Sequence, residues 1–191
     1  TRFFVEEQVY DEFIKLFKSH VEAINVGDGL DSKSNMGPLV ADRRLEVMED
    51  FISDAISSGG EVISGGGRGQ SPGSFFEPTL IRDVPDTAKI MVEEPFGPVA
   101  PSAPFSSIDE IIERANSLPF GLASYAFTSN PRTSQILKSE IESGMLAINS
   151  MHIHSVETPF GGLKHSGYGY EGSIEGLEAF LVTKYSSEIY T

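Results

Sequence analysis

Across residues 99–149, apolar β-forming runs alternate with stretches of helical periodicity, joined by short connections. Val99–Phe105 reads as a strand, although Pro101 and Pro104 push it toward a sheet edge or a bend. Ser107 is placed to cap a helix, with Glu110 three residues on, and Ile108, Ile111, Ile112 and Ala115 line one helical face. Residues 122–128 read as a strand. Asn130 caps the next helix, Pro131 takes its first position, and Ile136, Leu137 and Ile141 form its apolar stripe. Gly144 ends that helix before a strand over residues 145–149. Parallel strands need helical crossovers of this kind, whereas antiparallel ones can be joined by tight turns. The pattern therefore predicts an α/β fold with a mainly parallel sheet and flanking helices.

The first half fits the same class. Residues 2–5 form a short β run. Val9, Phe13, Leu16, Phe17, Val21 and Ile24 then recur at helical spacing over residues 7–24. Residues 28–38 are loop-like. A second helix carries Leu45, Met48, Ile52, Ala55 and Ile56 on one face and stops at Gly59-Gly60, which suits a left-handed cap. Residues 61–63 read as a strand. Residues 65–73 have the Gly/Ser composition of a linker, but apolar sequence resumes at once over residues 75–81, so a surface hairpin is expected. Residues 174–180 read as a last helical segment. Residues 181–190 are rich in β-formers that no partner in this chain needs. They read equally as a strand for a neighbouring subunit and as a frayed tail.

With 39% hydrophobic residues in 191, the chain can bury a sizeable core. Its formal net charge of −14 works against nucleic acid, which needs Lys and Arg on its phosphates, and against anionic membrane surfaces. No apolar run approaches the roughly 18–20 residues that span a bilayer, and no signal peptide is visible, so a cytoplasmic protein without membrane contact is expected. The chain has no cysteine, which excludes disulfides, thiolate catalysis and Cys-based zinc sites within these residues. It opens on Thr1-Arg2-Phe3-Phe4-Val5. That opening reads as a cut inside a larger protein, or as a processed terminus.

Residues 158–172 read Thr-Pro-Phe-Gly-Gly-Leu-Lys-His-Ser-Gly-Tyr-Gly-Tyr-Glu-Gly. Glycine loses too much backbone entropy for this to be an ordinary helix or central strand. Flexible linkers seldom carry Phe160, Leu163 and Tyr168 between their glycines, so the expectation is an ordered loop packed closely beside a binding surface. Other candidates are fewer. His152 and His154 are two apart with Glu157 nearby, as strand-borne metal ligands are, but no third ligand follows at suitable spacing and no metal is assigned. Ser155 adjoins a histidine, yet adjacency in sequence is not triad geometry. In Glu93-Glu94-Pro95-Phe96-Gly97-Pro98 two acids stand directly before a rigid turn. Either one is aimed at a defined target or the turn is a solvated acidic surface.

Taken together, these segments resemble the C-terminal part of the NAD(P)-dependent aldehyde dehydrogenase family over nearly the whole chain. The resemblance is carried by Gly37-Pro38-Leu39-Val40, by Phe75-Phe76-Glu77-Pro78-Thr79-Leu80 and by Glu93 to Val99 as Glu-Glu-x-Phe-Gly-Pro-Val. It continues through Asn116-x-x-x-x-Gly121-Leu122-Ala123, Gly144-x-x-x-Ile148-Asn149 and Pro159-Phe160-Gly161-Gly162-x-Lys164-x-Ser166-Gly167-x-Gly169-x-Glu171-Gly172. Ser155-Val156-Glu157-Thr158-Pro159-Phe160 and Glu171-Gly172-Ser173 look most like the succinate-semialdehyde dehydrogenases within it.

The resemblance implies a catalytic domain over residues 1–166 and a C-terminal helix and oligomerisation arm over residues 167–191. It implies a cysteine that attacks the aldehyde, a hydride passed to NAD or NADP, and a thioester hydrolysed by water. That cysteine would lie just ahead of Thr1, with the general base and cofactor domain further upstream. This chain alone is then expected to be inactive and to bind the cofactor poorly. By motif position, Glu94 matches the glutamate on the nicotinamide ribose and Phe96 the aromatic beside the nicotinamide. Glu171 matches a glutamate that relays the proton of the hydrolytic water, with a helix-capping acid as the alternative. Phe160 matches an aromatic lining the substrate tunnel, and His154 and Ser155 occupy the loop that sets aldehyde specificity. His154 stands where the semialdehyde enzymes carry a carboxylate-binding serine. Asn149 and Gly161, Gly162, Gly167 and Gly169 match structural positions. The partners implied are a small aldehyde and further copies of the chain, as a dimer or tetramer joined through residues 181–190. A surface made for the missing domain would be left open as an apolar patch. Two other readings remain: a cysteine-free structural or oligomerisation paralogue, and a generic α/β ligand-binding module.

Overall fold

The computed structural model describes residues 1–190 and falls into two units, one spanning Thr1–Ser107 and the other beginning at Ile108. The first unit contains β1 (Phe3–Glu6), α1 (Glu7–Glu22), α2 (Arg43–Ser57), β2 (Glu61–Ser64), β3 (Thr79–Arg82), α3 (Lys89–Val92) and β4 (Val99–Phe105). Its sheet has the order β1-β4-β3-β2, with β1 and β3 both parallel to β4 and β2 antiparallel to β3.

Adjacent strand residues point to opposite faces, and the sheet is buried on both. Leu80 packs with Tyr10, Ile14 and Val21 of α1. Its neighbour Ile81 packs with Met48, Phe51, Ile52 and Ala55 of α2. The sheet is therefore sandwiched between the two helices, and each such fully buried aliphatic side chain contributes about 1.5–3 kcal/mol. Tyr10 and Ser102 are paired within this core. Ser102 donates to the Ile81 carbonyl at 2.9 Å, and the Tyr10 hydroxyl accepts from the Asp83 N–H at 2.9 Å.

Three sequence expectations are corrected here. The stripe of α1 is rotated: Tyr10 and Ile14 are buried, whereas Val9 and Leu16 are exposed. On α2 the core takes Phe51 and leaves Ile56 outside. In both helices the buried set keeps the i, i+3, i+4 spacing, and the sheet selects which of two overlapping stripes is used. Finally, β4 is an interior strand, not an edge. Pro101 and Pro104 are three apart, so their missing N–H groups face opposite neighbours and β1 and β3 each lose at most one ladder bond. The Gly/Ser-rich stretch is the hairpin expected: Gly69 N–H bonds Phe75 O at 2.8 Å and Glu77 N–H bonds Gly67 O at 2.9 Å.

The second unit holds α4 (Ile108–Asn116), β5 (Phe120–Gly121), β6 (Ala123–Ala126), α5 (Pro131–Glu140), β7 (Met145–Ile148), β8 (Leu163–Lys164) and α6 (Ser173–Glu178). Asn130 caps α5 by accepting from the N–H groups of Arg132 and Thr133, and Pro131 opens the helix. Strands β6 and β7 pair in parallel around α5, as the periodicity predicts. The crossover through α4 does not pair β4 with β6, because both edges of β4 are taken by β1 and β3. Strands β5 and β8 form a short antiparallel pair. Residues 181–190 form neither helix nor strand, and Leu181, Val182, Tyr185, Ile189 and Tyr190 are exposed. No described helix is long and apolar enough to cross a membrane.

Candidate active site

The glycine-rich run is an ordered loop that folds back on itself. Phe160 and Glu171 exchange two backbone hydrogen bonds, each 2.8 Å long, as an antiparallel bridge. Directly opposed residues of such a pair send their side chains to the same face. The two candidates are thus neighbours although eleven positions separate them. Glycine makes the fold-back possible. A Cβ on Gly161 would lie 2.4 Å from the Tyr170 ring and 2.6 Å from Gly169 O, and one on Gly144 would lie 1.9 Å from Gly161 O. Gly167 and Gly169 have open space around them but φ of +124° and +83°, which exclude most side chains.

The loop ahead of Phe160 joins the same cluster. The His154 ring meets the Phe160 ring edge-on, with centroids 5.4 Å apart. Ser155 is held by Thr158: its N–H donates to Thr158 Oγ1 at 3.0 Å, and Thr158 Oγ1 donates to Ser155 O at 3.1 Å. The nearby Ser155 hydroxyl, and then its own backbone N–H, hold the Glu157 carboxyl below its ordinary value. A groove of about 410 Å³ opens here, lined by His152, His154, Ser155, Thr158 and Ala147 among others. It offers imidazole and hydroxyl donors beside apolar walls, which suits a small organic molecule with a polar or anionic end. Asn149, just after β7, braces the backbone of the loop between β6 and α5, accepting from Thr128 N–H and donating to Thr128 O, both at 2.8 Å. Thr158 escaped the sequence reading, and its signal is the Ser-x-x-Thr spacing that closes a small side-chain turn.

In the first unit, Glu94 and Phe96 share one turn. Pro95 between them is fully buried, while Phe96 is 71% exposed and sits at φ +44°. The turn thus presents an aromatic face and a carboxylate to solvent from an anchored base. The carboxylate is that of Glu94, which is exposed. Its two oxygens can accept from a pair of vicinal hydroxyls, and the exposed Phe96 ring can meet a flat heterocycle, so these residues fit a nicotinamide riboside. Among the described residues no cluster of three or more His, Cys, Asp or Glu could hold a metal ion.

A parallel-rich α/β fold carrying this turn and this loop is that of the aldehyde dehydrogenases. Residues 1–186 match the profile described as the aldehyde dehydrogenase family, and the chain belongs to that family. A putative 4-(hydroxymethyl)benzenesulfonate dehydrogenase of Comamonas testosteroni is 42% identical over 97% of this chain and 38% of its own length. A probable succinate-semialdehyde dehydrogenase [NADP(+)] of Sinorhizobium fredii is 42% identical over 96% of this chain and 38% of its own length. The crystal structure of succinate-semialdehyde dehydrogenase from Burkholderia pseudomallei superposes with a TM-score of 0.93 at 37% identity, over 95% of this chain and 38% of that one. The chain therefore spans little more than a third of the length of these relatives.

Proposed function

We propose that this chain is part of an enzyme that oxidises an aldehyde bearing an anionic group to the carboxylic acid, with NAD or NADP as the acceptor. The observation that carries the reading is His154, which lines the groove of about 410 Å³ and meets the ring of Phe160, itself bridged to Glu171. Phe160 supplies an apolar wall for the aldehyde carbon. His154 and Ser155 supply donors for a carboxylate or sulfonate, the groups named in the substrates of the two sequence relatives. Glu171 accepts and passes on the proton of the hydrolytic water at its carboxylate. Glu94 holds the ribose and Phe96 the nicotinamide, which when bound takes up the hydride. With no cysteine among its 191 residues, the chain supplies walls and positioning groups and is inactive alone. It comprises a catalytic region over residues 1–166 and an arm from residue 167, whose exposed apolar segment 181–190 pairs with a neighbouring copy in a dimer or tetramer. The rival reading is a cysteine-free structural paralogue.

The test uses the complete reading frame that carries this chain, with succinate semialdehyde and a neutral aldehyde of similar length as substrates. A hydrogen bond to a charged group contributes about 1.5–3 kcal/mol. His154→Ala is therefore expected to raise KM for the semialdehyde on the order of tenfold or more and to leave the neutral aldehyde within twofold. An equal effect on both substrates refutes the anion-binding role. Absence of NAD(P) reduction by the complete protein with any aldehyde refutes the enzyme and favours the structural paralogue.

A further inference from the structure

We propose that Arg44 is the positioning residue for the turn that carries Glu94 and Phe96. Arg44 stands in the first turn of α2, and its Nη2 donates to the Pro95 carbonyl in the middle of that turn. Met48, four residues on, lies on the same helical face. Its Sδ approaches the next turn residue so closely that a Cβ on Gly97 would lie 2.2 Å away. Further along α2, Asp54 accepts from the Lys89 N–H at 2.7 Å, and Asp50 pairs with Lys89 Nζ at 2.6 Å. One helix thus fixes the segment from Lys89 to Gly97 at both ends, and Arg44 holds the end that bears the candidate cofactor residues.

Two costs meet at this point. Phe96 occupies a left-handed conformation that L-residues other than Gly and Asn rarely adopt, with its ring left in solvent. Strain of this kind persists only where the surroundings over-determine the backbone. The Arg44 Nε is buried and has no hydrogen-bond partner among the described residues. A leucine or methionine would fill the same space without stranding a donor. Among the described residues the guanidinium makes one hydrogen bond, which pins Pro95 O in the middle of the turn that bears Glu94 and Phe96. Glu94 and Phe96 are the residues that touch cofactor, and Arg44 acts through them. The inference rests on the cofactor reading of the turn given above.

The test has two arms. In this chain, amide exchange of Glu93 and Val99, whose N–H groups bond Lys89 O and Gly97 O on either side of the turn, is expected to quicken in Arg44→Met while the hairpin over residues 65–78 keeps its wild-type protection. In the enzyme from the complete reading frame, Arg44→Met is expected to raise KM for NAD(P) on the order of tenfold, the worth of one hydrogen bond to a charged group, with KM for the aldehyde unchanged. Arg44→Lys keeps charge and a single donor and is expected to recover most of that loss, which also guards against misfolding of the methionine variant. Glu94→Gln is the reference. If it raises KM for NAD(P) and Arg44→Met does not, the positioning role is overturned while the cofactor reading stands. If Glu94→Gln leaves that KM unchanged, the cofactor reading of the turn falls, and the proposal with it. Unchanged exchange at Glu93 and Val99 in Arg44→Met overturns the proposal directly.

Discussion

Replacing Gly144 by alanine tests the close backbone packing on which the candidate site is built. Gly144 has no unusual φ, so the penalty comes from contact alone. The added Cβ would lie 1.9 Å from Gly161 O, 2.8 Å from Gly161 C and 3.1 Å from Gly162 Cα. All three are backbone atoms, and none can rotate away as a side chain would. The two segments must part by more than an ångström. Gly161 is not free to follow, because the Phe160–Glu171 bridge and the β5–β8 pair hold it on either side. Overpacking of this kind costs about 1–3 kcal/mol, and a rigid obstacle puts Gly144→Ala at the upper end. With a urea slope of roughly 1–3 kcal/mol per molar, the midpoint of the second unit should fall by about 1 M. The control is Gly37→Ala, where a Cβ meets nothing within 4 Å. There the lost freedom of the unfolded chain is expected to leave the first unit unchanged or stabilised by up to about 1 kcal/mol. The assay is urea denaturation by circular dichroism, with amide exchange in β7 assigning the loss to the second unit. A Gly144→Ala protein with wild-type midpoint and undiminished β7 protection would show that these backbones do not touch, and would remove the frame that brings Phe160 to Glu171.

Two further outcomes follow from individual groups. Burial raises the Tyr10 hydroxyl above its ordinary value of 10.0, so the folded chain holds that proton more tightly than the unfolded chain. The associated stability is complete below pH 10 and is lost as pH climbs through the raised folded value. Tyr10→Phe should lower stability at neutral pH, by stranding the Asp83 N–H, yet flatten the alkaline decline of the first unit; an unaltered decline refutes the assignment. Asn130→Ala should cost about 1 kcal/mol by uncapping α5, read as a lower melting midpoint of the second unit, whereas Asn130→Ser should recover most of it.

Much of the candidate site was legible because its chemistry is local. Glu94 and Phe96 flank a proline within one turn, and Phe160, His154 and Ser155 lie within seven residues, so a motif read along the chain captures them. Glu171 was legible only through the spacing of the glycines, and the reason it meets Phe160 is a backbone bridge that no side-chain pattern announces. Thr158 and Arg44 were missed. Thr158 acts through three-residue hydrogen-bond geometry, and Arg44 acts on Pro95 from 51 positions away. Proline composition also misled. Pro101 and Pro104 argued for an edge strand, and the interior place of β4 depends on which neighbour each missing N–H would have faced.

By itself the sequence determined the α/β class, the longer helices and strands though not α3, β5 or β8, the hairpin over residues 65–73 and the two glycine-containing motifs. These rest on propensity, capping and period, which are properties of neighbouring residues. The tertiary structure decided which stripe of α1 and α2 enters the core, which strands share a sheet, and which distant groups hold the two motifs in place. Those choices are made by contacts between segments far apart in the chain, where the position of a face, and not the identity of a residue, sets the energy.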